Sequence, residues 1–178
     1  MLQGKNIYLR ALEPEDLDLL AKVENDESLW EVSNTQTPYS KFVLKQYLDN
    51  AHLDIYQVKQ LRLVIINKPD NQEVGLIDLF DFNPHHKRVG IGIVIIKKHQ
   101  HKGYATEALR LVIHYCFNTL QLHQIYANIL EENTKSISLF TQQGFKNIGV
   151  KKDWISYQNK FKNEILFQLI NETKPDSK

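Results

Sequence analysis

Apolar and polar positions follow two different periods along this chain, and the switches between them mark its elements. In "NIYLRAL" the residues alternate, with Ile7, Leu9 and Ala11 on one face, which predicts a strand. "EPEDLDLLAKVEND" changes to the helical period: Leu17, Leu20 and Ala21 form the apolar side of a face shared with Glu24. Pro14 suits the first helical position, and Glu15 and Asp16 sit well at the positive end of the helix dipole. A second helix is predicted over 41–51, after a start at Pro38 to Ser40. The runs "LRLVIIN", "VGLIDLFDF" and "RVGIGIVII" then read as three strands. The turns "KPDNQE" and "NPHHK" join them into an antiparallel meander.

The second half repeats the alternation of periods. Positions 105, 109, 112, 113, 116, 117 and 120 are apolar and make one helical stripe. "QIYANIL" is a strand. "NTKSISLFTQQGF" is a short helix, with Asn133 or Thr134 as its cap and Gly144 as its end. "KNEILFQLI" closes the chain as a strand, reached through a turn at "YQNK". The order βααβββαβαββ is an α+β arrangement with about seven strands and four helices.

Composition narrows the class. The 178 residues suit one domain, able to bury roughly 70% of its unfolded surface. We take 1–172 as that domain and 173–178 as a flexible tail. Twenty-two basic against 21 acidic residues leave a net charge of +1, which gives no support to nucleic-acid binding. No apolar run reaches membrane-spanning length, and "MLQGKNIYLR" lacks a signal-peptide core. Cys116 is the one cysteine, so a reducing, cytoplasmic setting is expected.

The candidate chemistry starts at "HQHKGYATEAL". A strand ends near Ile96, a loop with Gly103 follows, and the long helix begins. The first N–H groups of a helix lack internal partners and favour an anion. Gly103 puts no side chain before them, and Lys102 adds a cation, so the loop can seat a diphosphate. The glycine also suits a plain turn, and neither the phosphate-loop GK[ST] ending nor the three-glycine dinucleotide pattern is present.

The pattern Q-x-x-G-x-A over Gln100, Gly103 and Ala105, preceded by "GIGIVII", resembles the GNAT superfamily of acyl-CoA-dependent N-acetyltransferases. So does "ENTKSISLFTQQGF", through Asn133, Ser136, Leu139, Phe140, Gly144 and Phe145. "YLRALEPEDLDLLAKVENDES" is similar to the branch holding spermidine and ribosomal-protein N-terminal acetyltransferases. The resemblance implies a strongly twisted, mixed, mostly antiparallel sheet that splays between the fourth and fifth strands predicted here. Coenzyme A would lie in the splay, its pantetheine amides along Ile93, Val94 and Ile95. Gln100, His101, Lys102, Gly103, Tyr104 and Ala105 would hold its diphosphate, with Asn133, Lys135 and Phe140 on the other side.

Acetyl-CoA would then be the co-substrate, and a primary amine the acceptor: a polyamine or another small amine first, a protein N-terminus as the alternative. Glu24, Asp26, Glu27, Glu31, Asp49 and Asp54 could pair with ammonium groups, though "VSNTQTPYS" is uncharged. A homodimer or larger assembly is expected by analogy. Asp78 is the candidate base; Asp81, three residues on, is expected on the opposite face of its strand. Both also read as solvent-facing charges. Many relatives carry a tyrosine acid where Phe140 stands and some a glutamate where Gly90 and Gly92 stand. The glycines could make room for a bulkier acceptor. The thiolate could leave with water's help, use Tyr104, Tyr126 or Tyr157, or leave poorly in a module that mainly binds acyl-CoA. No metal is expected: His85 with His86, and His99 with His101, lack the further ligands zinc needs. Those histidines are expected at the surface, though His85 or His86 could instead serve as a base or touch the acceptor. Trp30 and Trp154 are expected in packing contacts, Trp30 also lying where relatives line the acceptor pocket.

Overall fold

The computed structural model describes residues 2–33 and 35–172. The predicted tail, 173–178, lies outside the described residues. The strands are β1 (Leu2–Gln3), β2 (Ile7–Ala11), β3 (Leu61–Asn67), β4 (Gln72–Asn83), β5 (Arg88–Ile95), β6 (Gln124–Leu130), β7 (Lys146–Tyr157) and β8 (Lys160–Ile170). They form one sheet in the order β1-β2-β3-β4-β5-β6-β8-β7. Only β5 and β6 run parallel among the paired strands. The helices are α1 (Leu17–Glu24), α2 (Glu27–Ser33), α3 (Lys41–Asp49), α4 (Ile55–Val58), α5 (Tyr104–Asn118) and α6 (Thr134–Gln142).

Among the described residues, eight strands and six α-helices replace the seven and four predicted. The additions have little periodic signal to give. β1 has two residues, α2 buries none, and α4 is one turn fixed by the Asp54 cap and a buried Ile55. The long elements follow the pattern. Ser40 caps α3 by accepting from the Val43 N–H. Asn133 caps α6 by accepting from the Ser136 N–H. Gly144, at φ +88°, ends α6, with the Gly144 and Phe145 N–H groups returning to the Thr141 and Phe140 carbonyls.

Both faces of the sheet are covered, which is why "LRLVIIN" is apolar without alternation. Leu63 and Ile65 join the core beneath α5 with Leu109, Val112 and Cys116. Val64 and Ile66 join a second core beneath α1 and α3 with Leu20, Val23 and Leu44. Cys116 is fully buried, and burial pushes its thiol up to about 12.

Candidate active site

The parallel pairing of β5 with β6 covers only Arg88, Val89 and Gly90, after which the two strands part. One more strand precedes them than predicted, so the splay falls between the fifth and sixth strands. The N–H of Ile96 donates to Val74 on β4. Peptide groups alternate sides along a strand, so Val94 also faces β4, while Ile93 and Ile95 face the split. The Ile95 carbonyl accepts from Gln100 Nε2 at 3.1 Å. The expected pantetheine edge is therefore Ile93 and Ile95; the backbone of Val94 is spent on the sheet.

A cavity of about 810 Å³ fills the split. Its walls include Ile93, Val94, Ile95, Gln100, His101, Gly103, Tyr104, Ala105, Asn133 and Lys135. At its mouth α5 starts with Gly103 at φ +81°, and no side chain caps the helix. A Cβ on Gly103 would meet nothing within 4 Å. Free N–H groups, open space and Lys135 fit a diphosphate. Lys102 is exposed and lies outside the cavity wall. Phe140 is 3% exposed, edge-on to Phe145 at 5.0 Å, and reaches only a smaller recess of about 120 Å³ beside the cavity.

The opposite half of the cavity is charged. Arg62, on β3, donates to Asp78 Oδ1 at 2.6 Å and Oδ2 at 3.1 Å, and to Glu24 on α1. Tyr47 stacks 5.6 Å from the guanidinium. Burial alone would lower the Arg62 pKa, but Asp78 and Glu24 outweigh it and raise it. Glu164, on β8, lines the cavity from the other side and pairs with Lys151 at 2.5 Å. Asp78 thus faces the cavity as expected. Asp81 sits in a strand irregularity at φ +49° and accepts from the Tyr126 hydroxyl at 3.1 Å.

A family model described as acetyltransferase (GNAT) domain matches residues 6–146. The chain belongs to the GNAT acetyltransferases. The spermidine N(1)-acetyltransferase of Escherichia coli K12 is 30% identical over 165 residues, covering 93% of this chain and 86% of its own. That of Vibrio cholerae is 31% identical over 146 residues, covering 82% of each. The solved structure of the Vibrio cholerae enzyme in complex with CoA and spermine aligns with a TM-score of 0.83 at 26% identity, over 94% of this chain and 96% of that one. This acetyltransferase moves the acetyl group of acetyl-CoA to an amine.

Acetyl transfer asks for a held thioester, a polarised carbonyl, an amine that sheds a proton and a thiolate that leaves. The N–H groups on the open side of β5 face the split, where donors to an oxyanion would be needed. The two groups many GNAT acetyltransferases add are absent. Phe140 has no proton to give. At Gly90 the space for a side chain is already taken: a Cβ would lie 2.3 Å from the Phe80 ring. Room for a bulkier acceptor thus exists only at Gly92, where the nearest atom is 3.9 Å away. Of the three tyrosines considered as substitutes, Tyr104 alone lines the cavity. Tyr126 is bound to Asp81 and pushed up to about 12, chiefly by burial. Tyr157 lies 5.6 Å beneath the Lys162 ammonium.

Three features escaped the sequence. Arg62 was detectable as a cation inside an apolar strand, paired in register with the carboxylate of another. Glu164 was detectable in the same way within "NEILFQLI". His99 is not at the surface: it is 7% exposed in the cavity wall, its Nε2 without a partner, and burial with Lys98 and Lys102 lowers its pKa. His85 and His86 do form an exposed turn. Trp30 is half-buried and donates to the Glu24 carbonyl, whereas Trp154 is 60% exposed beside Lys151.

Proposed function

We propose that the amine is a linear polyamine. One observation carries this reading: the acceptor half of the cavity presents three carboxylates, Glu24, Asp78 and Glu164, against two cations, the Arg62 guanidinium and the Lys151 ammonium that pairs with Glu164. A chain of ammonium groups needs several carboxylates at separated points, and this wall supplies two such poles. Glu31, bridged to Glu132 by Lys162, lines the recess beside the cavity and adds an acidic group there. The polyamines named for the E. coli and Vibrio cholerae relatives support the same class. The diphosphate would rest on the N–H groups of Tyr104 and Ala105 with Lys135 beside it, and Asn133 would line the thioester end. The reading takes 1–172 as one catalytic unit working in the cytoplasm.

The test is amine-dependent thiol release from acetyl-CoA. Spermidine, spermine, an amino sugar, a monoamine and a peptide with a free N-terminus form the panel. A kcat/KM for spermidine or spermine at least about tenfold above the others is expected. Preference for the peptide or the sugar would overturn the polyamine assignment.

A further inference from the structure

We propose that Glu164 is the proton acceptor for the attacking amine. The proposal rests on amine acetylation but not on which amine is used. Both positions where relatives place proton-transfer groups are blank here, Gly90 filled by Phe80 and Phe140 without a hydroxyl. Asp78 has both oxygens tied to Arg62. It serves better as an ammonium-binding pole than as a base.

Glu164 is placed differently. It is 9% exposed, in register with Leu130 on β6 and Lys151 on β7. Among the described residues it is the one titratable side chain that lines both the main cavity and the recess beside it. The walls those two spaces share also include Ile91, Ile93, Asn128, Asn133 and Ser136. That is where the open edge of β5 would hold the thioester carbonyl. Lys151 holds Oε2 at 2.5 Å and is itself fixed by Asn128 Oδ1 at 3.0 Å. No hydrogen bond to Oε1 is present among the described residues, and that oxygen is not a sealed, unpartnered atom. One oxygen is anchored and the other is free to take a proton.

The proton balance is complete without another reactant. The amine arrives as an ammonium and loses its first proton to solvent. Its lone pair attacks the thioester carbon, forming C–N while the carbonyl π pair moves to oxygen. The nitrogen of that adduct still carries a proton to lose, and Glu164 takes it, a far easier transfer than from a free ammonium. When the oxygen pair returns, the C–S bond breaks, and the thiolate receives that proton from Glu164 through water. The products are the amide, coenzyme A thiol and one proton in solvent.

The experiment compares the parent with Glu164→Gln and Glu164→Ala on whichever panel amine the parent uses best. A failed polyamine assignment then shows in the parent, and a failed proton role only in the variants. Glu164→Gln is expected to lower kcat at least about 100-fold. Its coenzyme A affinity should stay within about twofold of the parent's. Formate and stronger carboxylate bases of similar size are expected to restore part of the Glu164→Ala rate in order of their basicity, a dependence that a purely structural pairing with Lys151 would not show. Where loss of the charge unfolds the chain, Glu164→Asp replaces both, with kcat down about tenfold or more at unchanged coenzyme A affinity. Parent-level kcat in Gln or Asp, or a folded Ala variant indifferent to formate, would overturn the proposal.

Discussion

Gly90→Ala and Gly92→Ala add the same methyl group to the same face of β5, two residues apart, yet their costs should differ widely. At Gly90 the new carbon would lie 2.3, 2.5 and 2.7 Å from three atoms of the Phe80 ring. No carbon pair tolerates that, so the ring must move. It is held edge-on to Tyr126 at 5.8 Å, and Tyr126 is in turn tied to Asp81. Forced repacking of this kind costs about 1–3 kcal/mol. For a chain of this size that is a fall in Tm of about 3–10 °C. Phe80 lines the cavity, so the displaced ring also intrudes there and raises the amine KM. At Gly92 the nearest atom is 3.9 Å away, an ordinary contact. Alanine there should be neutral or stabilising by up to about 1 kcal/mol, because it loses less backbone freedom on folding. Thermal unfolding followed by circular dichroism, with steady-state kinetics on the same samples, reads both effects. Equal Tm values for the two variants, or a larger loss at Gly92, would refute the steric reasoning.

Three other outcomes follow from the same site and its support. Phe140→Tyr should leave kcat within about threefold of the parent, because the leaving thiol is acidic enough to depart without a dedicated acid. A tenfold gain in thiol release would show that an acid had been missing. Arg62→Met should lower stability by about 2–4 kcal/mol in urea unfolding, since Glu24 and Asp78 lose their partner while keeping some solvent contact. The same variant should lower the amine KM, as two uncompensated carboxylates then face the cavity; a raised KM would contradict their role as an ammonium pole. Burial pushes the Asp16 carboxyl up, but the Arg10 hydrogen bonds at 2.6 and 2.8 Å and the Glu13 N–H pull it below its ordinary value. Its contribution is therefore fully present above about pH 4, the ordinary carboxylate value, and is lost as pH falls below that through the lowered folded-state value. Asp16→Asn should flatten the decline in stability below about pH 4, and parallel curves for variant and parent there would exclude this cause.

The long amphipathic elements could be read directly from the chain. The stripe of α5, the Asn133 cap and the Gly144 stop each rest on local spacing or local hydrogen bonds, and sequence order carries that information. Ser28 shows the opposite case: its N–H and hydroxyl both bind Asp26 to start α2, a helix with no buried face and so no period to detect. The loop before α5 was legible because the glycine and the helix start are contiguous; the adjacent Lys102 lies outside the cavity wall, and the cation that lines the cavity, Lys135, comes from α6. The charged half of the cavity was not, because Arg62 and Asp78 meet through strand register, Glu24 reaches Arg62 from α1, and Glu164 comes from β8, far along the chain. Solvent exposure also resists local reading: His99 is buried in the cavity wall, and Trp154 stands on β7, at the edge of the sheet among the described residues.

The seat at the start of α5 is tested most directly by calorimetric titration with coenzyme A and, separately, with pantetheine, which shares the arm but lacks the nucleotide diphosphate. Two or more charge-assisted bonds from free helix N–H groups, at about 1.5–3 kcal/mol each, set the difference. Coenzyme A should bind at least about 100-fold more tightly than pantetheine. Equal affinities would contradict the account, because the uncapped amides beside Gly103 would then hold nothing.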